Sequence, residues 1–275
     1  MNPRRLALEI LCLADPVAKA AAARALHEGL LGPQDIDPDE VLPDPGDLPG
    51  RPERPRLRPA REVPSRTAFT PEGRAALLHA IAHIEFNAIN LALDAAFRFH
   101  GMPPAFHADW LRVAGEEALH FTLLREHLLS LGHDYGDFDA HDGLWQMTRR
   151  TAGDVVARMA LVPRTLEARG LDATPPLQAK FARAGDTRSV EILDIILRDE
   201  VGHVAIGNHW YRWLCHSKGL DPVAHYAVLA ERHEAPKLRP PFNLGARQAA
   251  GFTAEELAYL QGGTMDGNEV RSLGS

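Results

Sequence analysis

Two stretches of this 275-residue chain put a glutamate and a histidine three residues apart on an otherwise apolar helical face. One is IILRDEVGHVAIGNHW, residues 195–210. At 3.6 residues per turn its apolar stripe runs through Leu193, Ile196, Leu197, Glu200, Val204 and Gly207, with His203 at the border. The other is DWLRVAGEEALHF, residues 109–121. There Trp110, Val113, Ala114, Phe121 and, just beyond, Leu124 form the stripe, and Glu117 and His120 lie within it. A carboxylate buried without a partner is costly enough to be neutralised or excluded. A fold that accepts these helices must give them something to face.

Two further helical patterns carry one inward glutamate each. Leu78, Ile81, Ala82, Ala88, Ile89 and Ala92 surround Glu85, while Val156, Met159, Ala160 and Pro163 lead to Glu167. From 85 to 117 and from 167 to 200 the spans are 32 and 33 residues, so the chain reads as two similar helix pairs. Four carboxylates crowded in a low dielectric repel one another. Two divalent cations would balance their four charges, and neutral imidazoles would complete each shell. Two lone glutamates plus two Glu-x-x-His pairs are the donor set of dinuclear carboxylate bundles. Glu85, Glu117, His120, Glu167, Glu200 and His203 are therefore the candidate ligands for two metal ions per chain. Carboxylate with imidazole suits Fe and/or Mn and leaves zinc open.

The surrounding pattern is helical throughout, with no period-two alternation long enough for a strand. Residues 3–30 read as one or two helices. Residues 32–64 hold nine of the 21 prolines and cannot be a helix, so they form a linker or an extended strap. Thr70-Pro71 opens the first core helix, which ends by Gly101. The second spans about 104–132, the third about 144–170 and the fourth about 187–218, with a short helix starting at Thr174-Pro175. The roughly dozen-residue link GHDYGDFDAHDG is long enough for a crossover along the bundle. Pro163 should kink the third helix, PPFN marks a loop, and Thr253 to Glu256 form a capping-box pattern for a last short helix. The expected organisation is an N-terminal segment over 1–64, a four-helix core over 65–220 and a C-terminal extension over 221–275.

The segments HIEFNAINLALD, DWLRVAGEEALHF, GHDYGDFDAHDGLW, ALVPRTLEARGLDATPP, RDEVGHVAIGNHW and PPFN resemble the ferritin-like superfamily of di-iron and di-manganese carboxylate proteins. Within it they look most like a bacterial ferritin-like group of unassigned function, placed near the tRNA-hydroxylating di-iron enzymes. The likeness covers residues 65–260. It implies a ferritin-like four-helix bundle with a long crossover. It also implies an oxidoreductase that activates O2 or peroxide for a small-molecule substrate, with an unidentified electron donor. In such proteins an acid beside each Glu-x-x-His orients the histidine on the opposite helix. That places Glu116 against His203 and Asp199 against His120. Metal storage and a helical scaffold with a structural metal site are the competing functions.

Composition narrows the partners. The formal charge is −7 and hydrophobic residues make up 45%, so no broad basic field favours nucleic acid or an anionic membrane. The arginines at 51, 54, 56, 58, 61 and 66 form a local run in the strap, and tRNA stays open only by analogy. No stretch reaches the ~18 uninterrupted apolar residues of a membrane span. Cys12 and Cys215 have neither disulfide-framework nor metal spacing, which fits a reducing cytoplasm. Homo-oligomerisation stays open. His83, two residues from Glu85, points to another face and is expected at the surface or around the ligands.

Overall fold

The computed structural model describes residues 1–64 and 67–262; Arg66 and residues 263–275 of the expected extension lie outside them. Among the described residues every regular element is a helix, apart from one isolated parallel bridge between Leu57 and Ala140. The chain is all-α, as its periodicity requires.

Helices α1 (Pro3–Leu11) and α2 (Pro16–Glu28) each start on a capping side chain followed by proline: Asn2 accepts from Arg4 N–H and Asp15 from Ala18 N–H. The proline-rich segment after them carries only two single 3₁₀ turns, Pro33–Asp35 and Ala60–Glu62. It is a strap on this chain's own core, held by buried cations. The Arg4 guanidinium donates to the carbonyls of Pro38 and Glu40 on the strap and of Phe97 near the end of the first core helix. The Lys19 ammonium donates to Gly50 O at 2.8 Å and Asn90 Oδ1 at 2.7 Å. Backbone groups that proline leaves without a ladder are satisfied this way.

The core helices are α3 (Pro71–Arg98), α4 (Pro104–Ser130) and α8 (Thr187–Ser217). Their ends fall within three residues of the sequence reading. Thr70 caps α3 through Gly73 N–H, and Asp186 caps α8 through Ser189 N–H. By length and composition α3 could cross a bilayer, but 83% of its most apolar stretch is buried inside the protein. It packs along α4, α4 packs against α8, and α2 lies across α4. Gly115 permits that last contact, since a Cβ there would fall 2.6 Å from His27 Cβ.

The third helix differs from expectation. It is not continuous over 144–170. α5 (Gly143–Arg150) stops at a turn, and Asp154 then caps a new helix, α6 (Val155–Leu161), through Val156 and Ala157 N–H. Pro163 produces more than a kink: Val162–Glu167 form one turn of π-helix before α7 (Ala168–Arg183). A widened turn accommodates the missing amide and redirects the side chains after it. Gly207 of α8 makes room, because a Cβ there would lie 2.6 Å from Pro163 Cβ.

No new helix starts at Thr174-Pro175; α7 runs through both Pro175 and Pro176. Pro175 removes the N–H that Leu171 O would accept, and Asn243 of the PPFN loop replaces it, donating from Nδ2 at 3.2 Å. The extension also contains α9 (Pro222–Arg232), which the sequence reading did not place, then α10 (Leu244–Ala249) and α11 (Ala254–Leu260). Thr253 and Glu256 make the expected reciprocal capping box.

Candidate metal centre

All six predicted ligands point into the buried middle of the helices. Glu85 comes from α3, Glu117 and His120 from α4, Glu167 from the π turn, and Glu200 and His203 from α8. None exceeds 8% exposure, and Glu117 and His120 are fully buried. Among the described residues two groups have donor atoms close enough to share an ion. One is Glu85, Glu117 and His120; the other is Glu117, Glu200 and His203. Glu117 belongs to both. Glu167 belongs to neither, though its carboxyl is buried within reach of the charges of Glu117, Glu85 and His203.

The histidines are aimed from behind. His120 Nε2 is 3.1 Å from Asp199 Oδ2, and His203 Nε2 is 2.7 Å from Glu116 Oε2. Each outer acid stands on the opposite long helix, so α4 and α8 orient one another's imidazoles. That leaves both Nδ1 atoms facing the carboxylates. His120 Nδ1 lies 3.2 Å from both Glu85 Oε2 and Glu117 Oε2. His203 Nδ1 lies 2.8 Å from Glu117 Oε1 but off the direction a hydrogen bond needs, so neither atom has a hydrogen-bond partner. Glu167 Oε2 and Glu200 Oε2 are likewise buried without one.

The electrostatics match this crowding. Burial, reinforced by the Glu117 charge, pushes Glu85 and Glu167 up to about 8 and Glu200 well above the carboxylate range. Burial opposes ionisation of Glu117 too, but the His203 charge and the two histidine contacts outweigh it and hold Glu117 low. The histidines are raised well above 6.5 against their own burial, His120 chiefly by Asp199 and His203 chiefly by Glu117. Without a cation the cluster can exist only by holding protons. Its unpartnered carboxylate and imidazole atoms form a hard, nitrogen- and oxygen-donor set that fits divalent metal ions.

His83 is neither at the surface nor among these donors. It is buried, with Nδ1 2.9 Å from Tyr135 Oη and Nε2 3.1 Å from the His141 carbonyl. Cys12 is exposed and Cys215 buried, with no bond between them. The sequence reading missed the side chains that fix the π turn. Arg164 is stacked on Tyr211 and Phe252, paired with Glu256 at 2.8 Å, and donates to Asn208 Oδ1 at 3.1 Å. Arg247 forks onto Asp172 at 3.0 and 2.6 Å. Their partners lie 44 to 92 residues away, and no local periodicity connects them.

No solved structure matches the chain. An uncharacterized protein of Haemophilus influenzae is 50% identical over 258 residues, covering 90% of this chain and 89% of its own length. Residues 12–258 match the family described as "Protein of unknown function (DUF455)", and the chain, carrying its buried carboxylate–histidine cluster, belongs to that family.

Proposed function

We propose that the chain is a ferritin-like dinuclear metal protein that activates O2 or peroxide as an oxidoreductase. Glu85, Glu117 and His120 would hold one ion, Glu117, Glu200 and His203 the other, and Glu167 would complete the set, with Fe and/or Mn the expected metals. The observation that carries the reading is the set of buried donor atoms with no other partner: Glu117 Oε1, Glu167 Oε2, Glu200 Oε2 and His203 Nδ1. Native interiors satisfy such atoms unless an ion or a functional task does so. Bound Fe or Mn would supply redox equivalents and a Lewis-acidic site for O2. The protein's own part is orientation and charge. Asp199 and Glu116 fix the imidazoles, and the four glutamates balance two dications while the apolar stripes keep bulk water out. The π turn that carries Glu167 favours a reactive centre over a purely structural one, because irregular helical turns gather where side chains must be aimed.

The test is metal content per chain on protein purified without O2, with optical spectra before and after O2 is admitted. Binding of about two Fe or Mn per chain, an O2-dependent spectral change, and loss of both in Glu117→Ala support the reading. Metal bound with no response to O2 would leave a structural site. No metal after reconstitution would overturn it.

A further inference from the structure

A second site lies beside the π turn, on the side of the C-terminal extension. A cavity of about 550 Å³ opens between α9, α10 and α11, with Arg164, Arg247 and Glu256 in its wall. That volume is within the ~300–1,000 Å³ range of small-molecule sites. Its lining is mixed. Tyr226, Tyr259, Phe252 and Leu260 give an apolar and aromatic face, and the two tyrosine rings meet edge to face at 6.0 Å.

Glu231, Glu234 and Lys237 line the exposed mouth of the cavity, while Arg164, Arg247 and Glu256 are its buried charges. Arg164 and Arg212 share one carboxylate, Glu256, at 2.8 and 3.3 Å. Arg247 has Asp172. Arg212 is 35% exposed and, like Asp172, stands outside the lining, so within the buried wall itself Arg164 and Arg247 face the single carboxylate of Glu256. Arg247 is fully buried, and its Nη1 has no hydrogen-bond partner among the described residues; the same holds for Arg212 Nε. A buried guanidinium with an unused donor, as at Arg247, is costly unless an acceptor approaches it, and guanidinium is suited to carboxylates.

We infer that this cavity is a binding site for a small organic anion, a carboxylate on an apolar or aromatic body. Its charged end lies toward the Arg164–Arg247 wall and its body against Tyr226, Tyr259 and Phe252. The site stands apart from the carboxylate–histidine cluster and does not depend on metal being bound there.

Benzoate and hexanoate are the probes, with benzamide and hexanamide as neutral counterparts. Each is titrated into the full chain, metal-free and metal-loaded, while alanine, leucine and valine methyl signals are followed by NMR. Saturable binding is expected, with shifts confined to the lining methyls of Val223, Ala227, Ala230, Ala235, Leu238 and Leu260. The amides should bind about tenfold or more weakly, the typical worth of one charge-assisted hydrogen bond over a neutral one. Ala230→Trp, which fills the cavity, should abolish binding while the remaining methyl spectrum stays folded. Glu117→Ala should leave binding unchanged, separating this site from the metal centre. Absence of saturation by either acid, equal affinity for acids and amides, or binding that survives Ala230→Trp would each overturn the inference.

Discussion

Replacing Glu167 by glutamine should make the metal-free protein more stable, by an amount that grows with pH. Glu167 is buried, its Oε2 has no partner, and burial beside Glu117 pushes its carboxyl up to about 8 from an ordinary 4.5. Between those values the folded state holds a proton that the unfolded chain has released. Stability therefore falls as pH rises from 4.5 to 8, and is spared the penalty below 4.5. Linkage makes the cost of keeping the glutamate about 1 kcal/mol at pH 5 and about 4 kcal/mol at pH 7.5. Glutamine has nearly the same shape and a similar buried amide, so it removes the ionisation term and little else. Unfolding entropy of about 0.6 kcal/mol per kelvin for a chain this long converts 4 kcal/mol into a Tm rise of about 7 °C. The assay is thermal unfolding in chelator at pH 5 and 7.5, wild type against Glu167→Gln. With Fe or Mn added the order should reverse, because the wild type then gains binding energy that the variant forfeits. A variant that is neutral or destabilised without metal at pH 7.5 would refute the burial argument. An order that metal leaves unchanged would refute the role of Glu167 as a ligand.

Two shorter predictions concern the supports of the centre. Asp199→Asn keeps a side chain near His120 Nε2 but removes the charge that orients it; metal affinity, measured by chelator competition, should fall about 10- to 100-fold with the fold intact. Gly207→Ala drives a methyl to 2.6 Å from Pro163 Cβ, so the π turn must shift; destabilisation of about 1–3 kcal/mol by denaturant titration is expected.

What the sequence made legible follows from the range over which its signals act. The 3.6-residue stripe is local, so α3, α4 and α8 could be placed nearly to their ends. The inward glutamates and histidines stood out because they interrupt that stripe. The pairing of Glu116 with His203 and of Asp199 with His120 came from the resemblance to dimetal carboxylate proteins, not from periodicity, and the structure brings both pairs together. The third helix was misread for a physical reason. Thr174-Pro175 looks like a cap and a first-turn proline, yet the Thr174 hydroxyl bonds Gly170 O inside a continuing helix. Asn243, far along the chain, takes the carbonyl that Pro175 leaves free. The cap at Asp154 was visible in principle, but no apolar break accompanies it. Nor does any local pattern announce that Arg4 and Lys19 fasten the strap, because both do so through distant carbonyls.

The C-terminal extension explains why a π turn can persist where an ordinary helix would be cheaper. Glu256 holds Arg164 at one end of that turn. Arg247 holds Asp172 and the Ala168 carbonyl just past the other end. Phe252 stacks on both guanidiniums and ties the two clamps together. Glu167 stands between them, and its position is over-determined although its own carboxylate bonds to nothing. The same logic runs through α4 and α8, where Asp199 and Glu116 take the outer imidazole nitrogens and leave the inner ones facing carboxylates. The outer imidazole nitrogens are satisfied, while Glu117 Oε1, Glu167 Oε2, Glu200 Oε2 and His203 Nδ1 stay unpartnered together at the centre of the cluster. A core built only for stability would place apolar residues at 85, 117, 167 and 200. Holding four carboxylates there, beside two imidazoles fixed from outside by Asp199 and Glu116, is what the proposed pair of divalent ions would require.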